Sequence, residues 1–318
     1  MAHQLVADIG GTNARFALCD KGSTVLQNIQ VLSCTQFDSP IEAIESYLST
    51  GNTSVESICM AVAGPVDKTD DVITFSNNPW SFSQKQLANH FGSRRLIAVN
   101  DFAAAAMATT TIPPDDLFFL SKGLRFDLEQ QRCILGPGTG LGVAGILPHQ
   151  GKTLVLSTEG GNRSFSPETE IEDYILQFLR SELQTVSSEV LLSGNGLVNI
   201  YRALCSYHKK TARHSRTDDI SAEAFNNDEM AYQSLQTFFE MLGSFAGDCA
   251  LTLGATGGVY IGGGIAPRFP QALLQSKFRK RFEAKLNYKH YLEKIPTAIV
   301  MHQYPGLLGA ALYLIQDC

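Results

Sequence analysis

The side chains best suited to chemistry in this sequence are the neighbouring pair Asn100 and Asp101. They follow an apolar run at residues 96–99 that predicts a buried strand, and a helix-like apolar segment begins directly after them. The edge of a sheet at which such strands end is where α/β proteins bind ligands. A carboxylate there can act as a general base on a hydroxyl group, or it can cap the following helix, and spacing alone leaves both interpretations open.

Three glycine-rich segments could hold phosphate groups. They are residues 8–13 (DIGGTN), 136–142 (GPGTGLG) and 257–264 (GGVYIGGG). Glycine allows the backbone to approach a ligand, and successive main-chain N–H groups can then converge on phosphate oxygens. The segments match neither the P-loop pattern nor a dinucleotide-binding fingerprint. Strand–turn–strand phosphate hairpins are the remaining prediction, with an ordinary structural turn as the alternative for each segment.

Three more carboxylates fit such a site. Asp8 ends the first apolar run and is suited to hold Mg²⁺, directly or through water, because Mg²⁺ keeps several waters and takes one or two carboxylates. Glu159 lies near Asn162 on a glycine-rich turn, and Glu189 precedes a second polar turn. Carboxylates and amides of this kind can bind the ring hydroxyls of a sugar. Taken singly, each is more often part of an ordinary surface loop.

The surrounding pattern predicts an α/β protein. Strands are predicted at residues 5–9, 14–18, 57–63, 96–99, 132–135 and 141–147, and helices at 40–48, 170–183 and 228–253. The first two strands, joined by a glycine-rich turn, predict a β-hairpin. Near-continuous apolar strands such as 57–63 are typical of a sheet covered by helices on both faces.

Two domains are expected, because 318 residues exceed what one hydrophobic core usually supports. A polar, proline-bearing stretch at residues 109–116 predicts a domain boundary. After it, the order of strand, glycine turn and strand found at residues 5–18 occurs again at 132–147. This loose repetition favours a duplicated, two-lobed fold.

Composition excludes several classes of partner. The net charge of −6 and the short basic run at residues 209–213 argue against a nucleic-acid or anionic-membrane surface. The seven cysteines form no C-x-x-C pair and lie mostly in apolar runs, which predicts reduced, buried thiols. No apolar run approaches the ~20 residues that span a bilayer, and the N-terminal segment lacks a signal-peptide pattern. A cytoplasmic location is therefore expected.

Taken in order, nine segments resemble the bacterial glucokinase family, which shares the fold of actin, hexokinase and Hsp70-type ATPases. They are residues 8–15 (DIGGTNAR), 63–65 (AGP), 77–80 (NNPW), 99–102 (VNDF), 136–142, 159–161 (EGG), 192–197 (LSGNGL), 257–269 and 305–309 (PGLLG). The resemblance implies a two-lobed actin-like, ribonuclease H-like duplicated ATPase fold. It implies a small lobe of residues 1–108 plus 303–318, a large lobe of 109–302, and an active site in the cleft between them.

The resemblance also implies an activity, the phosphorylation of glucose at O6 by ATP to give glucose 6-phosphate and ADP, the entry step of glycolysis. Asp101 would be the general base, and Asn100 would hold the neighbouring hydroxyl. The implied substrate-binding residues are Asn78, Asn100, Asp101, Glu159, Asn162 and Glu189. The implied ATP-binding residues are Asp8, Gly10, Gly11, Thr12, Asn13, Gly138, Thr139, Gly140, Gly262, Gly263 and Gly264. Asp8 would also organise Mg²⁺.

One position departs from the family pattern, in which histidine usually follows Glu-Gly-Gly and here Asn162 does. Asparagine keeps a donor and an acceptor but is shorter and never charged, so altered recognition of the anomeric end of the sugar is expected.

A kinase for mannose, fructose or an N-acetylhexosamine stays open as an alternative. A sugar sensor without catalysis and an actin-like structural ATPase are alternatives from other classes. A homodimer is expected by family analogy alone.

Overall fold

The computed structural model describes residues 3–49, 54–67, 69–76 and 78–316, so Asn77 and Cys318 lie outside the described residues. The chain groups into two compact units. Unit 1 comprises residues 1–113, 148–157 and 302–318, and unit 2 comprises 114–147 and 158–301. The lobe limits expected at residues 108 and 303 stay a prediction.

Both units combine helices with a sheet, as the sequence predicts. The strands are β1 His3–Ile9, β2 Asn13–Asp20, β3 Gln27–Ser33, β4 Val55–Val62, β5 Val72–Thr74, β6 Ser81–Ser83, β7 Arg95–Asn100, β8 Leu117–Phe119, β9 Arg132–Pro137, β10 Leu141–His149, β11 Lys152–Thr158, β12 Gly258–Ile261 and β13 Thr297–Val300. The helices are α1 Pro40–Ser49, α2 Gln84–His90, α3 Asp101–Ala108, α4 Glu170–Arg180, α5 Gly194–Tyr207, α6 Thr217–Glu223, α7 Glu229–Leu253, α8 Pro270–Gln275, α9 Phe278–Glu283, α10 Lys289–Leu292 and α11 Pro305–Gln316.

The main sheet of unit 1 has the strand order β3-β2-β1-β4-β7. Strands β1 and β2 form the predicted antiparallel hairpin, and β3 extends it on the far side of β2. Strands β4 and β7 continue the sheet parallel to β1. The carboxyl ends of three strands therefore meet at one edge, with Ile9 opposite Val62 and Val62 opposite Asn100.

Helices cover both faces of this sheet because its strands alternate their side chains between two apolar layers. Leu5 and Ile9 of β1 pack in one core with Ile44 of α1. Val6, which points to the other face, packs with Leu307 of α11. Gly309 of α11 lies so close to the main chain of Ala104 in α3 that any larger side chain would overlap it. The main chains of these two helices are therefore in direct contact.

The second large sheet, whose strands come mainly from unit 2, has the strand order β11-β10-β9-β12-β13-β8. Strands β9 and β10 are antiparallel, β12 and β13 run parallel to β9, and β8 pairs antiparallel with β13. Apart from β8, this is the order seen in unit 1. Helices α5 and α7 bury one face, where Leu204 and Phe238 pack with Leu135 of β9 and Ile261 of β12.

Three details differ from the sequence prediction. The third glycine segment is not a strand–turn–strand hairpin, because β12 pairs in parallel with both of its neighbours and the chain then turns into a short 3₁₀ helix, Ala266–Arg268. Helix α4 ends at Arg180 rather than 183, where Ser181 begins a tight turn. Helix α7 begins at Glu229, because Asp228 is its N-cap and accepts two main-chain hydrogen bonds.

Two further expectations concern the thiols and the membrane. Within the described residues, six cysteines are free and buried, as predicted; they are Cys19, Cys34, Cys59, Cys133, Cys205 and Cys249. Among the helices of the described ranges, none combines the length and apolar character that crossing a bilayer requires.

Candidate active site

Asn100 and Asp101 stand where β7 ends and α3 begins, and both are partly buried. The helix cap is Asn100, whose Oδ1 accepts a hydrogen bond from the Ala103 N–H over 3.1 Å. Its Nδ2 donates to the Gly64 carbonyl at the neighbouring strand end, also over 3.1 Å. Asp101 is therefore not the cap of α3. Its carboxylate lies in the first helical turn and accepts from the Phe102 N–H over 2.9 Å, where the helix N-terminus favours a negative charge.

Asp8 lies at the same edge of the sheet, on β1. Its Oδ2 forms an ion pair with Arg15 Nη1 over 3.2 Å, and only 18% of the Asp8 side chain is exposed. Burial raises the pKa of Asp8 above the usual 3.8, and the nearby Arg15 charge and hydrogen bond oppose that rise. Gly306, at the start of α11, packs against the carboxyl group, and a methyl there would stand 2.7 Å from its carbon. The sequence did not indicate Arg15 as the partner of Asp8.

The first glycine turn, residues 10–13, closes through the Gly10 N–H, which donates to the Asn13 carbonyl over 2.9 Å. The Gly10 carbonyl is approached by Asn78 Nδ2 at 3.5 Å and by the Cys34 thiol at 3.7 Å. Asn78 Oδ1 accepts from the Trp80 N–H over 3.0 Å, and the residue is only 8% exposed. The structure thus shows Asn78, a predicted sugar-binding residue, bracing the glycine turn.

In unit 2, the second glycine turn connects β9 to β10. The Gly138 N–H donates to the Gly140 carbonyl over 2.8 Å, and the Gly138 carbonyl accepts from the Gly194 N–H, also over 2.8 Å. Gly194 opens α5, whose N-cap is Ser193. The amino end of α5 is therefore fixed against the turn, with Thr139 exposed at its tip. The sequence flagged the segment 192–197 but not its contact with this turn.

The third glycine segment lies beside the second at the carboxyl ends of β9 and β12. The Gly262 N–H donates to the Leu135 carbonyl over 2.7 Å, and a side chain on Gly136 would overlap the main chain of Gly262. Gly263 has φ 78°, in the left-handed region that favours glycine. Gly264 is exposed, with open space where a Cβ would stand. The segments 138–140 and 262–264 are thus brought together.

The predicted sugar-binding residues of unit 2 lie on two segments joined by main-chain hydrogen bonds. Glu159 and Asn162 are both exposed on one 3₁₀ turn, closed by the Asn162 N–H donating to the Glu159 carbonyl over 3.0 Å. The Glu189 N–H donates to the Gly161 carbonyl over 2.9 Å. The Glu189 carboxylate, through Oε2, accepts from the Leu141 N–H over 2.8 Å. Glu189 therefore connects the turn that carries Glu159 and Asn162 with the end of the second glycine turn.

The family follows from comparison with known proteins. The sequence model of a family described as Glucokinase matches residues 5–317. This chain belongs to the glucokinase family. It is 39% identical over 317 residues to the glucokinase of Saccharophagus degradans, with 98% of each chain covered. Over 318 residues it is 41% identical to the bifunctional protein glk of Burkholderia lata, covering 99% of this chain and 49% of that relative. The chain therefore spans about half the length of the bifunctional relatives it matches.

Solved structures agree with this assignment. The crystal structure of a glucokinase from an Antarctic psychrotroph is 35% identical, with a TM-score of 0.88 and 99% of each chain covered. A glucokinase of the ROK family from Streptomyces griseus, in complex with glucose and AMPPNP, shares the fold at 18% identity, a TM-score of 0.64 and 98% coverage of each chain. The glucokinase-family resemblance inferred from the nine segments is confirmed, and so is the α/β fold of sugar kinases.

Proposed function

We propose that this glucokinase-family chain transfers the terminal phosphoryl group of ATP to O6 of glucose, giving glucose 6-phosphate and ADP. The observation that carries the proposal is the position of Asp101. Its carboxylate lies at the sheet edge of unit 1 in the first turn of α3, while the neighbouring Asn100 performs the capping. In a chain of this family, a carboxylate held there without the capping task is suited to accept the proton of the attacking hydroxyl.

The residues proposed to bind the sugar include Glu159, Asn162, Glu189 and Asn100. An ionised carboxylate offers two oxygens that can accept hydrogen bonds from adjacent ring hydroxyls. Burying such groups without a matching hydroxyl leaves them unpaired, so the site discriminates against the wrong stereochemistry. Asn100 can take part because its amide retains one N–H and one lone pair beyond the cap and the Gly64 contact.

ATP is proposed to bind along the three glycine segments. The exposed Thr139 supplies a hydroxyl donor, and the open main chain at Gly264 leaves room for a ligand to approach. The segments 138–140 and 262–264 meet at one sheet edge, which allows one nucleotide to contact both. The complex of the Streptomyces griseus relative with AMPPNP supports ATP as the phosphoryl donor.

Asp8 is the proposed Mg²⁺ residue. The described residues contain no cluster of three or more potential metal ligands, so a site built from protein groups alone does not fit. A single carboxylate does fit an ion held mainly by waters and phosphate oxygens, which is the usual arrangement for Mg²⁺. When bound, the ion would neutralise charge on the transferred phosphoryl group. Asp8, kept in place by Arg15, would orient its water shell.

The shared five-strand order of the two sheets supports a further proposal, that the fold is a duplicated ribonuclease H-like ATPase fold. Each sheet contains an antiparallel hairpin whose turn carries one of the glycine segments, residues 10–13 or 138–140. The homodimer and the cytoplasmic location stay predictions.

The runner-up is a kinase for another hexose, favoured by the exposed Asn162 where the family pattern has histidine. The test is product analysis after incubation with Mg-ATP and glucose, mannose, fructose, galactose or N-acetylglucosamine. Phosphorus NMR identifies which sugar is phosphorylated and at which oxygen. Glucose 6-phosphate as the main product supports the proposal, whereas a different preferred hexose replaces it with the runner-up. Sugar binding with no phosphorylated product supports the sensor and contradicts the enzyme.

A further inference from the structure

Arg163 follows Asn162 directly, and its side chain is held by helix α7 from two sides. Its Nη2 makes an ion pair with Asp248 Oδ2 over 3.0 Å. Its guanidinium carbon lies 4.5 Å from the centroid of the Phe245 ring, within the range of a cation–π contact. Because Phe245 and Asp248 are on the same helix, the arginine is fixed in both direction and reach.

Asp248, the ion-pair partner of Arg163 on α7, is itself held by other charged side chains. Asp248 Oδ1 pairs with Lys285 Nζ over 2.8 Å, and Lys285 also pairs with Glu168 over 2.8 Å. Glu168 and the buried Glu172 both contact Arg281 of α9, which extends the network. An extended ion-pair network of this kind orders its members more than an isolated pair does. Asp248 therefore offers Arg163 a carboxylate in a fixed position.

The main chain of Arg163 is hydrogen-bonded to the segment that carries Glu189, one of the predicted sugar-binding residues. Its carbonyl accepts a hydrogen bond from the Ser188 N–H over 2.9 Å, next to the bond between the Glu189 N–H and the Gly161 carbonyl. Displacement of Arg163 would therefore move Asn162 on its own segment and Glu189 on the adjoining one. Arg163 is not expected to touch the sugar, because its guanidinium is occupied on α7.

We infer that Arg163 is a positioning residue for the sugar site, which sets the placement of Asn162 and Glu189 and thereby the affinity for the hexose. The inference rests on the proposed function. It assigns the residue a part in sugar binding that the nine family-like segments do not include.

The test compares Arg163→Gln with Arg202→Gln, a matched control in the same unit. Arg202 also pairs with a carboxylate, Glu182, and also lies over an aromatic ring, that of Phe178, at 5.6 Å. The two arginine side chains are exposed to similar extents, 38% and 40%. Steady-state kinetics gives KM for glucose and for ATP separately. Calorimetric titration with glucose in the absence of ATP gives the sugar affinity without turnover.

Arg163→Gln is expected to raise both the KM and the dissociation constant for glucose about three- to fivefold, the size of one half-exposed ion pair and one cation–π contact. KM for ATP and kcat should change less than about twofold, because the substitution removes none of the hydrogen bonds that hold the glycine turns. Arg163→Lys should recover part of the glucose affinity, because it keeps the charge but not the planar stacking. Arg202→Gln should leave both glucose constants unchanged.

Three outcomes overturn the inference. If Arg163→Gln lowers the thermal midpoint but leaves glucose affinity at the wild-type value, the residue is merely structural. If Arg202→Gln weakens glucose binding as much as Arg163→Gln does, the effect is one of general stability. Wild-type chain that binds glucose without phosphorylating it contradicts the proposed function alone, and the binding comparison still decides the role of Arg163. Wild-type chain that neither binds nor phosphorylates glucose overturns both.

Discussion

The carboxylate of Glu189 accepts a hydrogen bond from the main-chain N–H of Leu141 over 2.8 Å. Leu141 directly follows the second glycine turn, and Glu189 is one of the residues proposed to bind sugar. The same carboxylate lies against Gly140, so that a methyl group there would stand 2.6 Å from Glu189 Oε2. Within unit 2, a residue proposed to bind sugar is therefore in direct contact with the turn proposed to bind phosphate.

Gly140→Ala should weaken glucose binding with little loss of stability. The new methyl meets the far end of a flexible side chain, so the fold can adjust by moving the Glu189 carboxylate away from its place. We expect KM for glucose to rise about tenfold, corresponding to ~1.4 kcal/mol, with the thermal midpoint almost unchanged. Gly138→Ala is the control, since its methyl would meet Gly264 N at an ordinary 3.7 Å. Equal glucose KM values for the two variants would contradict the account.

Variants of Asn100 separate the stability contributed by the helix cap from that contributed by the contact with Gly64. Asn100→Ala removes the acceptor for the Ala103 N–H and should destabilise the chain by about 0.5–2 kcal/mol. Asn100→Asp keeps an acceptor and should retain most of that stability, although it loses the donor to the Gly64 carbonyl. Urea unfolding of both variants measures the difference. Equal destabilisation by alanine and aspartate would show that the contact with Gly64, rather than the cap, is what stabilises this site.

Asp228 predicts a pH dependence of stability. Burial alone raises its pKa, but hydrogen bonds from the Ala231 and Met230 N–H groups and from His214 lower the pKa below the usual 3.8. A lowered folded-state pKa means that the stabilisation is present above pH 3.8 and is lost as pH falls through the folded value. Asp228→Asn keeps the cap but not the charge, so it should cost about 0.3–1 kcal/mol at pH 7.

Thermal midpoints of wild type and Asp228→Asn between pH 3 and pH 7 check this sign. The two curves should converge as the pH falls below 3.8, because protonation removes the charge that the variant lacks. A difference that stays constant across this range would show that the charge of Asp228 does not contribute.

Asn162→His tests the departure from the family pattern. Histidine is longer and can carry a charge near neutral pH, so it should change the contact with the anomeric end of the sugar. We expect KM for glucose to change by about threefold or more relative to KM for mannose, while kcat on glucose persists because Asp101 is intact. Parallel kinetics on both sugars measures the ratio. Unchanged KM values for both would remove Asn162 from the sugar site.

The sequence predicted those features that depend on local pattern. The hairpin β1–β2 follows from two apolar runs around a short turn, and the position of Asp101 at the start of α3 follows from a polar pair between a strand and a helix. What escaped prediction depends on contacts between distant positions. Arg163 and Asp248 are 85 residues apart, so no local spacing pattern in the sequence predicts their ion pair.

The division of tasks between Asn100 and Asp101 shows the same limit. Both residue types favour helix N-termini, so composition left either of them as the cap. Only the backbone geometry decides, because Asn100 has extended backbone angles with φ −62° and ψ 145°, whereas Asp101 is already helical. The third glycine segment was mispredicted for a related reason, since parallel pairing of β12 with β9 joins strands more than 100 positions apart.

The proposal that Asp101 is the general base is tested most directly by Asp101→Asn, assayed for ADP release with Mg-ATP and glucose. The account predicts that kcat falls by about 10²–10⁴, the usual contribution of a general base. Calorimetry should show glucose binding within a few-fold of wild type, because asparagine preserves the shape of the side chain. Turnover at the wild-type rate in Asp101→Asn, with glucose still bound, would contradict the account and assign the proton transfer to another group.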